Sequence, residues 1–326
     1  MLSRRDLLSH SLALGAAGLP LAGRAQAGFP SKPIRIVVPF GAGGVADLTA
    51  RTVAQKMAEG LGQSIVIENK PGAGGIVAGD TVAKAEPDGH TLLLMSNGTA
   101  VSEGLFKSLP FDPRKDFAPV SVLGFFDLVI VVPEGSRFTT LAELVANARA
   151  NPGKLNVGTV AIGSTQNLAA ELFKTSAGIE AQIVPFNGTP AVVTALRGGQ
   201  IDAAVEILAP VAAQISGKAL RALAVMGDKR NVALPEVPTV KDAARLASFS
   251  VASWNALAAP ARTPREVVAR LNQEVQAALK SPEVRKRLAE LGVEAHSSTP
   301  EQLAALLDAE IKRWSEVITR ARIPRQ

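Results

Sequence analysis

Apolar positions along this chain follow two rhythms that alternate. Ile34, Ile36, Val37, Val38 and Phe40 make a nearly unbroken apolar run without a polar face, the pattern of a strand covered on both sides. Gly41, Gly43 and Gly44 follow at once. Val45, Thr49, Val53, Met57 and Leu61 then recur every four residues, which puts them on one face of a helix over 45–61. The same exchange predicts further strands over 64–68, 91–95, 128–132, 155–160, 181–186, 201–207, 220–226 and 250–259. It predicts further helices over 76–84, 141–150, 166–177, 190–197, 264–280, 282–291 and 301–320. Residues 111–120 carry prolines and read as irregular, as do 234–240. We see no internal repeat.

Strand and helix in alternation predict an α/β fold built on parallel sheets. Four strand ends open into small polar or glycine-bearing loops: after Phe40, at Ser96-Asn97-Gly98-Thr99, at 161–165, and after Phe186. Ligands bind at the carboxyl ends of strands in such sheets. A glycine turn that opens a helix offers free N–H groups and the positive end of the helix dipole, which suits an anion. Two βα units presenting such loops predict a ligand cleft between two domains that close about a hinge.

The chain has 326 residues, enough for two domains, and is 47% hydrophobic, enough for large cores. Its formal charge is +6, of which Arg4, Arg5 and Arg24 against Asp6 supply +2 in the first 27 residues. The remaining basic residues are scattered among acids. That argues against a nucleic-acid partner and leaves room for a small anion. There are no cysteines, which excludes disulfides, thiolate nucleophiles and thiolate metal sites.

Catalysis is hard to build from these residues. Of the three histidines, His10 lies in the first 27 residues, His90 beside a turn and His296 in a loop, and none adjoins a hydrolase or metal motif. We expect His90 and His296 at the surface or a strand edge. No metal or cofactor is implied. Asp47, Asp202 and Glu206 are the carboxylates worth following, and nothing in the sequence pairs two of them. Gly41-Ala42-Gly43-Gly44-Val45-Ala46 fits the outline of a dinucleotide fingerprint, with Glu68 at the next strand end. We set it aside, because an exported protein meets little nicotinamide cofactor and no proton-transfer group accompanies the motif. Asp47 either balances the helix dipole, orients the glycine loop or touches a ligand. Phe40 and Phe186 are core residues or cleft walls, and Trp254 is expected in the core.

The first 27 residues read as an export signal. A twin-arginine-like start, Ser3-Arg4-Arg5-Asp6-Leu7-Leu8, precedes a short apolar stretch and the cleavage pattern Ala25-Gln26-Ala27. The mature chain is expected in the periplasm.

Several segments resemble one known family. They are PSKPIRIVVPF from Pro30, GGVAD ending at Asp47, ENKPGAGG from Glu68, PDGHTLLL from Pro87 and LPFDPRKDFAPV from Leu109. NPGKLNVG from Asn151, LRALAV from Leu220, LPEVPTV from Leu234 and the Trp254 strand complete the set. Together they resemble the solute-binding receptors of tripartite tricarboxylate transporters, the Bug-type proteins. The resemblance implies a two-domain periplasmic binding protein of type II, a Venus flytrap with its ligand cleft between the domains. It implies no enzyme activity. Domain 1 would be 28–122 with 252–326, and domain 2 would be 123–251, joined by two crossing strands. The implied ligand is a small organic anion: a di- or tricarboxylate, an acidic amino acid or an aromatic acid. The implied partner is a membrane permease, and the implied state is a monomer.

Carried over residue by residue, the implied site is Phe40, Gly41, Ala42, Gly43, Gly44 and Asp47, with Ser96 and Asn97. Facing it are Ala161, Gly163, Ser164, Thr165 and Gln166, with Phe186 and with Glu206 where the family commonly has aspartate. Four positions depart from the family pattern. Ala46 replaces a common threonine, Val160 and Ile162 are apolar in a loop that is usually Ser- and Gly-rich, Asn167 replaces a histidine, and Asn255 an aromatic. These departures imply a ligand with a less polar far end. The alternatives are a sensing receptor without its own permease and a periplasmic enzyme.

Overall fold

The computed structural model describes residues 28–326; the export-signal segment lies outside the described residues. In chain order the elements are β1 (Ile34–Val38), α1 (Val45–Leu61), β2 (Ile65–Asn69), α2 (Ile76–Ala83), β3 (Thr91–Ser96), α3 (Asn97–Leu105) and β4 (Phe117–Pro133). Next come α4 (Leu141–Ala150), β5 (Leu155–Val160), α5 (Thr165–Ala177), β6 (Ala181–Phe186), α6 (Thr189–Arg197), β7 (Ala203–Ile207), α7 (Leu208–Ser216) and β8 (Leu220–Val225). The chain ends with α8 (Val240–Ala243), β9 (Ala252–Pro260), α9 (Arg265–Lys280), α10 (Pro282–Glu290), β10 (Val293–Ala295) and α11 (Pro300–Arg320).

The sheet has two parallel halves of the same order. β1 lies between β2 and β3, and β5 lies between β6 and β7, all parallel. Each half is extended by an antiparallel strand, β9 beside β3 and β4 beside β7. The chain thus does repeat itself in space, although no sequence repeat is visible. β4 belongs to both halves. Residues 117–127 pair with β9, and 128–133 pair with β7 and β8. The chain returns where Val251 donates to Met226 O at 2.7 Å, just before β9.

Burial follows the two-sided pattern of the strands. Ile36, Val38, Leu92 and Leu94 pack under α1, α9 and α10 with Val53, Met57 and Leu271. On the opposite face Leu93 and Met95 join a cluster that runs on through Leu105, Leu168, Phe173 and Trp314, so the two halves share one apolar core. Trp254 lies in it as expected. A third cluster lies under α6 and α7.

Some expectations fail for local reasons. Residues 117–120 are not irregular: Pro119 sits in β4 where the register slips, a place where a missing N–H costs no ladder bond. The expected strand 128–132 is only the second half of β4. Ser96 to Thr99 is not an open loop. Ser96 caps α3, accepting from Gly98 N at 3.1 Å, while Thr99 Oγ1 accepts from Ser96 N. Threonine in the place of Glu or Gln hides that capping box. The strand expected over 201–207 begins at Ala203, and α7 follows it unannounced. Pro210 falls in the first turn of α7, where its missing N–H would be unpaired anyway. His90 is buried rather than exposed, accepting from Ser31 N at 3.2 Å and lying edge-on to Phe29.

Gly124 marks the place where β4 carries β9 on one side and β10 on the other. A Cβ there would stand 2.7 Å from Glu294 O and 2.6 Å from Val293 Cγ1. Gly124→Ala must displace backbone, so we expect a loss of about 1–3 kcal/mol, read as a lower urea midpoint at unchanged m.

Candidate ligand-binding site

β1 and β5 deliver the chain to α1 and α5 through turns of one design. Gly43 has φ +84° and Gly163 φ +80°, a region that an L side chain rarely adopts. The next residues, Gly44 and Ser164, are extended and act as N-caps. Four residues after each left-handed glycine, a side chain on the helix reaches back to it. Gly43 N donates to Asp47 Oδ2 at 2.9 Å, and Gly163 N donates to Asn167 Oδ1 at 3.2 Å.

Each bracing side chain is itself held. Asp47, 1% exposed, also accepts from Arg51 Nε at 3.0 Å and from Asn69 Nδ2 at 2.8 Å; Asn69 donates to Phe40 O as well. Burial alone would raise the Asp47 carboxyl, but the hydrogen bonds of Arg51, Gly43 and Asn69 outweigh it and hold the group below its ordinary value. Asn167 donates to Thr159 Oγ1 at 3.3 Å and takes Ser164 Oγ on its own N–H. Asp47 therefore orients the glycine loop, one of the three roles the sequence left open. Gly43 N is spent inside the loop, and so is Gly163 N.

Other N–H groups remain. Among the described residues no protein acceptor meets those of Gly44, Val45 and Ala46, or those of Thr165 and Gln166. Phe40 is 40% exposed, and Gly41, Ala42 and Ala161 are exposed beside it on the two turns. The turns belong to opposite halves of the sheet. Gly163 rests on α3, where an added Cβ would stand 2.2 Å from Leu105 Cδ2.

The remaining expected residues lie deeper. Ser96 and Asn97 are buried at the start of α3, and Asn97 Nδ2 donates to Ala252 O at 3.4 Å. Phe186 is half-buried and packs against the core under α6. Glu206 is fully buried. Its Oε2 accepts from Thr189 Oγ1 at 2.9 Å and from Gln166 Nε2 at 3.5 Å, and its Oε1 has no partner among the described residues. Burial without a cation pushes this carboxyl up to about 7, and the two hydrogen bonds offset only part of the rise. Asp202 is elsewhere, accepting from Asn156 N at 2.9 Å near the start of β5. The three carboxylates are thus not paired with one another. No group of three His, Asp or Glu suited to a metal occurs among the described residues.

Sequence reasoning noted Asn167 only as a departure from the family pattern, and missed Thr189, Arg51 and Asn69 as members of this arrangement. A signal existed for Asn167: glycine followed four residues later by Asp or Asn occurs in both loops.

Comparison with known proteins decides the family. A profile described as "Tripartite tricarboxylate transporter family receptor" matches residues 49–323. The chain belongs to that receptor family. A Pseudomonas sp. (strain P51) relative, the UPF0065 protein of the tcbD-tcbE intergenic region, is 40% identical over 295 residues, 90% of this chain and 88% of its own length. A Rhodopseudomonas palustris protein solved with adipate, Rpa4515, is 34% identical with a TM-score of 0.81, covering 91% of this chain and 100% of its own. MatC from the same organism, solved with bound malate, is 35% identical with a TM-score of 0.77, covering 89% and 100%. The receptor has the periplasmic-binding-protein fold.

The buried Glu206 carboxyl predicts a pH dependence of the receptor's stability. A carboxyl that titrates near 7 when folded and near 4.5 when unfolded binds the extra proton in the folded state. Its contribution to stability is complete below the unfolded value and is lost as pH rises toward 7. Glu206→Gln should remove that slope, making the variant relatively more stable at pH 7–8 by up to about 3 kcal/mol, measured by urea denaturation across pH 4.5–8.

Proposed function

We propose that this receptor captures a small organic carboxylate between the two glycine turns and delivers it to a tripartite tricarboxylate-type permease, without transforming it. The observation that carries this reading is the pair of braced turns with unpartnered N–H groups at the starts of α1 and α5. Backbone donors at a helix start need no cation to hold a carboxylate, and the helix dipole adds to their pull. The adipate and malate held by the two solved relatives are ligands of that class.

The working parts are residues 28–122 with 252–326 on one side and 123–251 on the other, hinged at β4 and at the return before β9. Closure would bring the first turn toward the second and exclude water from the carboxylate. The protein acts as a monomer in the periplasm after export directed by its first 27 residues. Metal, cofactor and nucleic acid have no part in this function.

Thermal melts with adipate, L-malate, L-glutamate and benzoate test the reading. A true ligand at a hundred times its Kd raises stability by about 2.7 kcal/mol. Asn167→Asp should weaken that ligand about tenfold, because a second negative charge under the α5 turn faces the bound anion. Melts moved only by neutral or cationic compounds would refute carboxylate capture.

A further inference from the structure

Few buried amides in a folded chain lack partners, and one such amide lies in β9, level with the last residue of β3. Asn255 on β9 is fully buried, and neither its Oδ1 nor its Nδ2 meets a hydrogen-bonding partner among the described residues. Its direction follows from strand alternation. Leu257 and Ala259 pack with Val38, Leu94, Ala50 and Val53 under α1, whereas Trp254, Ala256 and Ala258 belong to the core on the opposite face. Asn255 therefore leaves β9 on the α1 face. In register it lies opposite Ser96, the last residue of β3, and opposite Gly124 of β4. That is the end of the sheet from which residues 41–44 lead into α1. Ser96 Oγ is turned to Gly98 N, and Gly124 has no side chain to offer.

We propose that Asn255 is a specificity-determining residue that reads a hydroxyl on the ligand, so that the ligand class is a hydroxy-carboxylate. The proposal rests on the carboxylate reading above and narrows it. The N–H groups at the start of α1 need an acceptor, which a carboxylate supplies. Asn255 presents an acceptor and two donor hydrogens side by side. A second carboxylate would leave Oδ1 unpaired, an ammonium would leave Nδ2 unpaired, and a methylene would leave both. A hydroxyl donates to Oδ1 and accepts from Nδ2. A buried polar group left unpaired by the wrong ligand is a strong basis for discrimination.

The test uses the whole mature chain, wild type and Asn255→Leu, which keeps the size and removes the polar atoms. Both are melted alone and titrated calorimetrically with three matched pairs: L-malate and succinate, 3-hydroxyadipate and adipate, lactate and propionate. Wild type should bind the hydroxylated member of at least one pair about tenfold tighter or more. Asn255→Leu should melt, without ligand, at or above the wild-type temperature, and should bind both members alike. A lower melting temperature of the unliganded variant overturns the proposal, because it means the amide serves the fold. So does a wild type indifferent to the hydroxyl in every pair, or a variant that keeps the preference. If no carboxylate of any kind binds wild type, carboxylate capture fails, and the unliganded melts alone judge Asn255.

Discussion

A side chain reaching back four residues to brace a left-handed glycine is the interaction on which the proposed site depends. Backbone donors cannot aim at a guest unless the turn that carries them is fixed, and glycine is the residue least able to fix itself. Asp47 and Asn167 supply the missing constraint from the first turn of their helices. Each spends one N–H of its turn, and the next few at the helix start are left without a protein acceptor. The two braces differ in charge. Asp47 is ionised and neutralised by Arg51, so the first turn carries little net charge of its own. Asn167 is neutral and needs only Thr159.

The turns matter as a pair only because the two halves are joined. β4 is one strand with two allegiances, to β9 in the first half and to β7 and β8 in the second. The shared core through Leu105, Leu168 and Trp314 ties α3 and α11 to α5, and the second turn leans on Leu105. The second turn is thus placed in part by its packing against α3 of the first half. Buried polar atoms without partners, Glu206 Oε1 in one half and the Asn255 amide in the other, are two of the places where the fold accepts a cost that packing alone does not explain.

Much of this was legible in the residues. Period-four apolar spacing from Val45 to Leu61 and two-sided runs such as 34–40 are local signals; α1 appears where its signal puts it, and β1 starts where expected but ends at Val38, leaving Phe40 exposed in the turn. Elements that failed were those whose signal is ambiguous locally. Pro119 and Pro210 look like breaks, yet each falls at a position where an N–H is not needed. The duplicated turns escaped because only Gly43 and Gly163 match between 40–47 and 160–167, with Asp47 answered by Asn167, too little for a sequence repeat.

The sequence by itself determined the family, the α/β alternation and the glycine turns, because all of these reside in residue types and short spacings. Tertiary structure alone decided that Asp47 and Asn167 are equivalent braces, that Glu206 lies between Thr189 and Gln166, and that β4 serves both halves. Such facts depend on which distant segments meet, and on how much water is left around a polar atom once they do. No local pattern of side chains encodes either quantity.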